Sequence, residues 1–177
     1  MRPHVMLRLT VISLMFIAPG AVAQQGAADG EWGSFAGDLG STKYSPLDQI
    51  NADNVGSLQV AWTRPLVDPS YLAMDEDLRY SNVSSAAPLI IDGTGYVPNS
   101  IGLVEAFDVT TGETRWTQEP FGGMTDLRGA GTRGVAFWTD GTESRILAQR
   151  GEYLYALHPG TGERFEDFGD GGRVHLT

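Results

Sequence analysis

The sequence predicts an all-β fold of the β-propeller class, and three observations carry the prediction. The first is Val104 to Trp116, which reads as strand, tight turn, strand. Val104, Ala106 and Phe107 suit a strand, Asp108 and Thr110-Thr111-Gly112 suit a turn, and Thr114 and Trp116 share one face of the strand that follows. The second is a copy of this hairpin at a constant offset. Ala106, Thr111, Gly112 and Glu113 recur as Ala156, Thr161, Gly162 and Glu163, each pair 50 residues apart. The third is a looser upstream echo, in which Ala87 to Gly93 has a counterpart in Gly134 to Gly141. One hairpin alone is an ordinary surface feature, whereas two in register imply an array. A self-similar, all-strand unit of this length is the signature of a four-stranded propeller blade.

Taken in order, the chain opens with the pattern of a secretory signal over residues 1–23. Arg2 and Arg8 give a basic start, Leu9 to Ile17 an apolar core, and Ala21-Val22-Ala23 a small-residue cleavage site. Export to the periplasm follows as an expectation, with residues 24–177 as one propeller portion. Gln24 to Gly30 is a polar lead-in, and Glu31 to Asn54 is rich in turn formers. Asp53 to Leu58 suits a turn of helix, and Leu58 to Thr63 reads as a strand ending in Trp62. Trp62-Thr63 echoes Trp116-Thr117, so Trp62 ends a blade whose other strands lie elsewhere and its own strand is an unpaired edge. Leu66 to Ser85 reads as an irregular loop. The first blade runs from Ala87 to Thr117, with a turn at Asp92-Gly93-Thr94-Gly95. The second starts near Arg133 and continues through Ile146 to Ala148 and Tyr153 to Leu157, with Glu166 to Gly172 as an exit loop. Two blades do not close a ring that commonly needs about four to eight. The sequence therefore reads as part of a longer protein.

Charge and composition exclude several classes of function. The net charge is −10 over 177 residues, which disfavours nucleic acid and anionic membrane surfaces as partners. Without cysteine there is neither a disulfide framework nor a thiolate metal site. No segment after residue 23 is apolar for long enough to cross a bilayer. Gly129 to Gly134 matches G-x-G-x-x-G, but a β-like run follows where the dinucleotide motif needs a helix. Arg133 sits between glycines at the mouth of a strand, where its guanidinium either grips a carboxylate or is simply solvated. His4, His158 and His175 lack metal-ligand spacing, and Asp75-Glu76-Asp77 reads as a solvated acidic loop. Trp62, Trp116 and Trp138 read as packing residues. The residues alone give an exported all-β repeat without an identifiable catalytic centre.

The sequence also resembles the periplasmic quinoprotein dehydrogenases that use pyrroloquinoline quinone (PQQ). Ala106-x-Asp108-x-x-Thr111-Gly112-x-x-x-Trp116 is similar to their tryptophan docking motif, in which an indole wedges between blades. Sharper matches are Gly37-Asp38, Lys43 to Asn51, Asn54-Val55, Val60-Ala61-Trp62, Arg133 to Trp138 and Asp167-Phe168-Gly169. The resemblance implies an eight-bladed propeller of which this chain supplies roughly the first two blades as an N-terminal fragment. It implies oxidation of an alcohol, polyol or sugar by hydride transfer to PQQ with calcium assistance, and electrons then passing to a cytochrome or quinone. Arg133 matches the family arginine that contacts PQQ. Ser85 falls where a cofactor-contacting glutamate is usual, so a neutral hydroxyl replaces a charge. The positions of a cysteine pair found in many alcohol-oxidising members, near Leu127 and Arg128, carry no cysteine, which leans towards sugars or polyols. The catalytic aspartate and calcium ligands are expected beyond residue 177, so no catalytic or metal residue is assigned in this chain. The alternatives are a non-catalytic propeller scaffold for envelope protein assembly and a relic whose blades never close.

Overall fold

The computed structural model describes residues 26–27, 30–121, 123 and 134–176. The signal pattern over residues 1–23 and Arg133 both lie outside these described residues. Two four-stranded antiparallel sheets account for nearly all the regular structure. The first is the meander β1 (Leu89–Ile91), β2 (Thr94–Pro98), β3 (Val104–Asp108) and β4 (Thr114–Thr117). The second is β5 (Val135–Thr139), β6 (Ser144–Arg150), β7 (Tyr153–Leu157) and β8 (Arg173–His175). This is the two-blade arrangement that the repeat implies.

Local chemistry explains the hairpins. Asp92 and Gly93 both take positive φ between β1 and β2, as the tightest antiparallel turn demands. In the β3–β4 turn the Asp108 carboxylate accepts from the N–H groups of Thr110 (2.9 Å) and Thr111 (3.0 Å). His158 occupies that position in the second copy, and its Nδ1 accepts from Gly160 N–H at 3.1 Å. An imidazole thus replaces a carboxylate without changing the turn. Gly112 and Gly162 donate to the carbonyls of Asp108 and His158, both at 2.8 Å.

The sheets meet face to face. Leu89, Val104 and Ala106 of the first pack against Val135, Ile146 and Leu157 of the second. Trp116 lies over Gly162, and its indole N–H donates to the Pro159 carbonyl at 2.8 Å. The same contact recurs one sheet earlier: Trp62 lies over Gly112, with its indole N–H on the Val109 carbonyl at 3.1 Å. Trp62 therefore stands to the first sheet as Trp116, on an outermost strand, stands to the second.

Three expectations are corrected. Leu58 to Thr63 is not a strand. Among the described residues nothing pairs with the backbone from Gln59 to Thr63, and a strand exists only through a partner. A 3-10 turn at Val55–Ser57 precedes this run, as the helix-turn reading allows. Trp62 holds the run in place together with Arg64, whose guanidinium pairs with Glu105 at 2.7 Å, donates to the Gly112 carbonyl and covers the Phe107 ring. Leu66 to Ser85 is more than a loop, because it contains helix α1 (Pro69–Met74). Asp68 caps that helix by accepting from Ser70 N–H at 2.8 Å, and Pro69 opens its first turn. Tyr71 and Leu72 then pack on a small core of Val67, Leu78, Ile101 and Leu103.

The third correction concerns Glu166 to Gly172, which is an excursion within the second sheet and not its exit. Leu157 bridges Arg164, the chain leaves the sheet, and β8 returns to pair with β7. Residue 166, 50 positions after Trp116, is Glu and not Trp. Arg145 fastens the excursion by covering the Phe165 ring at 4.3 Å and pairing with Glu143 and Asp167.

Candidate functional site

Antiparallel register places the start of β1, the β2–β3 connection and the start of β3 at one end of the first sheet. It places the start of β5 and the β6–β7 connection at one end of the second. Beside the start of β5 lies a cavity of about 720 Å³ that brings Ser85 and Gly134 together.

The floor is the face of the second sheet that points away from the first. Ala136 pairs with Leu147, and Gln149 with Leu154, so these four side chains share one face. Their neighbours Val135, Ala148 and Tyr155 occupy the opposite face and form the core. Ser85 supplies one wall from the extended run leading into β1. Its hydroxyl is exposed and has no hydrogen-bond partner among the described residues. Ser84 and Ala86, on either side of it, line a second cavity of about 200 Å³ with Arg64 and Glu105. Alternation along extended chain makes this run a partition between the two spaces. Gln149 donates from Nε2 to the Gly151 carbonyl at 2.9 Å, which fixes its amide plane and leaves its carbonyl oxygen available. A Cβ placed on Gly134 would meet no described atom within 4 Å, so the cavity is open there.

No ionisable side chain lines the cavity among the described residues. The charges nearby are the buried pair Arg64–Glu105 behind the partition, with side-chain exposures of 15% and 7%. Among the described residues no group of three or more His, Asp or Glu converges as a metal cage, and no helix is long and apolar enough to cross a membrane. Asp75 and Asp77 are drawn into the end of α1, where Asp77 N–H donates to the Asp75 carboxylate at 3.0 Å.

The structure thus brings one of the two sequence-predicted contacts, Ser85, to a cavity beside Gly134, the chain neighbour of Arg133. Sequence reasoning missed Gln149, Leu147, Leu154 and Phe35. The first three follow from the β6–β7 register, which periodicity could have supplied had the face been assigned. Phe35 carries no signal beyond being one of three aromatics, with Trp32 and Tyr44, among turn formers.

The chain has known relatives. The family model described as the PQQ "Glucose/ethanol/alcohol dehydrogenase, beta-propeller domain" matches residues 32–177. The dehydrogenase subunit of the alcohol dehydrogenase (quinone) of Gluconacetobacter polyoxogenes is 34% identical over 141 residues, covering 73% of this chain and 18% of the relative. The 1-butanol dehydrogenase (cytochrome c) of Thauera butanivorans is 38% identical over 94 residues, covering 53% of this chain and 12% of the relative. The crystal structure of the quinohemoprotein alcohol dehydrogenase from Comamonas testosteroni superposes with a TM-score of 0.59 at 27% identity, over 86% of this chain and 22% of that one. The chain therefore spans about a fifth or less of the length of these relatives. With its two docked four-stranded sheets and a family match over all but the first 31 residues, the chain belongs to the PQQ-dependent glucose/ethanol/alcohol dehydrogenase family, within its β-propeller domain.

Proposed function

We propose that these residues form one wall of the PQQ site of a periplasmic dehydrogenase that oxidises an alcohol, with electrons passing to a quinone or cytochrome c. The observation that carries the reading is the cavity shared by Ser85 and Gly134 in a chain of this family. PQQ is a planar, fused-ring quinone bearing carboxylates, and the cavity suits such a group on three counts. Its volume lies in the range of about 300–1,000 Å³ common to cofactor sites. Its floor of Ala136, Leu147 and Leu154 is apolar and formed by regular strands. No described carboxylate lines it to repel an acidic ligand.

When bound, PQQ supplies the acceptor for the hydride of the alcohol carbon. The chain's own residues bind and orient. Ser85 offers a neutral hydroxyl that either donates or accepts, and Gln149 offers a fixed amide. Arg133, preceding Gly134, is the proposed charged contact, since a guanidinium binds a carboxylate with two parallel hydrogen bonds. A calcium ion acting as Lewis acid belongs to the same reading, with ligands from residues other than those described here. The relatives named above act on alcohols. The lack of cysteine at Leu127 and Arg128 makes polyols and sugars the second class of donor to assay.

The test is equilibrium dialysis of the purified chain against PQQ, read by its absorbance. Saturable binding that weakens in Arg133→Ala supports the reading. No binding, or binding indifferent to Arg133, overturns it and favours the non-catalytic scaffold.

A further inference from the structure

Each copy of the docking turn grips its indole through a single peptide plane. In the first copy, the plane joining Val109 to Thr110 accepts the Trp62 indole N–H at its carbonyl (3.1 Å) and gives its own N–H to the Asp108 carboxylate (2.9 Å). In the second, the plane joining Pro159 to Gly160 accepts the Trp116 indole N–H (2.8 Å) and the Tyr96 hydroxyl (3.3 Å) at its carbonyl, and gives its N–H to His158 Nδ1 (3.1 Å). The side chain heading each turn thus fixes from one side the plane that holds a tryptophan on the other.

The two heads respond differently to acid. The Arg115 guanidinium, with the N–H groups of Thr111 and Thr110, holds the Asp108 carboxyl well below the usual carboxylate range. His158 accepts through Nδ1 only as the neutral ring with its proton on Nε2. A proton on Nδ1 would set two N–H groups face to face across 3.1 Å. His158 is exposed, so that proton comes straight from solvent. The titratable groups around the turn are otherwise engaged. The Glu163 carboxylate takes the Thr161 hydroxyl at 3.1 Å, and Arg164 covers the Phe121 ring and pairs with Glu166. From the first sheet, Arg115 is held by Asp108 and Thr94, and Tyr96 by the Pro159 carbonyl. None of them hydrogen-bonds the imidazole among the described residues, and its ring neighbour is Phe165 at 5.8 Å.

We propose that His158 makes the clasp between the two sheets respond to pH: the neutral imidazole anchors the Pro159–Gly160 plane, and the imidazolium releases it. The clasp is firm while the ring is neutral and loosens as pH falls and the ring takes up a proton. The Asp108 turn, one sheet earlier, keeps its grip over the same range. This behaviour is independent of what the cavity binds.

The experiment is proton–nitrogen NMR of the unaltered chain and His158→Asn between about pH 8 and 5, where imidazoles titrate. Asparagine keeps an acceptor at this position and removes the proton site. In the unaltered chain the Trp116 indole N–H resonance should move with the His158 ring through one titration. Protection of the Gly160 amide, corrected for the intrinsic effect of pH on exchange, should fall with it by about three- to tenfold, the worth of one hydrogen bond. In His158→Asn both should stay level, and the Trp62 indole and Thr110 amide should stay level in both proteins. His158→Asp, which supplies the first turn's own side chain, serves the same comparison if the asparagine variant folds poorly. A Trp116 resonance that holds still while His158 titrates overturns the proposal, and so does one that moves equally in the variants.

Discussion

Replacing Gly162 with alanine tests whether the docked indole or the turn itself is what requires glycine. Gly162 has φ +76°, and an added Cβ would fall 2.5 Å from Cε3 of Trp116. Two penalties follow. A left-handed backbone costs an L-residue about 1–2 kcal/mol. Displacing the indole from a filled contact costs about 1–3 kcal/mol more, including its hydrogen bond to Pro159. G162A should therefore destabilise the chain by about 3.5 kcal/mol, taking the middle of both ranges. In a W116A background the clash disappears and the backbone part alone remains, about 1–2 kcal/mol. The double-mutant cycle should then show a coupling of about 1–3 kcal/mol. Urea unfolding followed by far-ultraviolet circular dichroism suits the measurement, because it does not depend on the tryptophan removed. Equal cost of G162A in both backgrounds would refute the docking argument and leave glycine needed for its dihedral angle alone.

Other perturbations have equally definite outcomes. Arg64→Met leaves the Glu105 carboxylate, 5% exposed, without its guanidinium, and should cost about 3–5 kcal/mol in guanidinium unfolding, whereas R64M/E105L should recover most of that loss. Equal instability of single and double variants would show that the pair is not what holds this segment. The Arg115 guanidinium beside Asp108, aided by the N–H groups of Thr111 and Thr110, holds its carboxyl down at about 2. Its folded value is thus below the unfolded 3.8, so its stabilisation is present above pH 4 and is lost as pH falls from 3.8 towards 2. Asp108→Asn should flatten the urea midpoint across that window and leave its slope above pH 5 unchanged; a loss of midpoint on acidification as steep as that of the unaltered chain would contradict this.

The legible parts of the fold were those encoded locally. Asp92-Gly93 announces a tight hairpin because two positive φ angles in a row exclude most other residues. The 50-residue echo announces the second sheet because the same turn chemistry must be repeated to seat the same indole. Helix α1 was hidden because six residues, Pro69–Met74, are too few for a periodic apolar stripe, and its stability comes from Asp68 and a satellite core assembled partly from Ile101 and Leu103. Strand β8 was hidden because the chain leaves the sheet before returning, and no local signal marks a strand that resumes after an excursion. Leu58 to Thr63 failed for the opposite reason, since strand-like residues without a partner remain extended chain. In the candidate site, Ser85 came from the family resemblance alone, as the position where a cofactor-contacting glutamate is usual. Gln149 and Phe35 reach the cavity through register and a loop anchored far along the sequence, which no short motif records.

The recurring indole–turn contact also governs how the molecule comes apart. Each contact ties a tryptophan to a turn about 50 residues later, so the coupling runs only between consecutive units, like a chain of neighbours holding hands. In such a one-dimensional system the free energy is a sum of unit and junction contributions, and damage travels no further than the junctions it touches. Removing Trp62 should loosen the first sheet and leave the second clasped by Trp116; removing Trp116 should free the second sheet while the first keeps its grip on Trp62. Hydrogen exchange would read this as two protection boundaries instead of one, lying at the Thr-Gly turns.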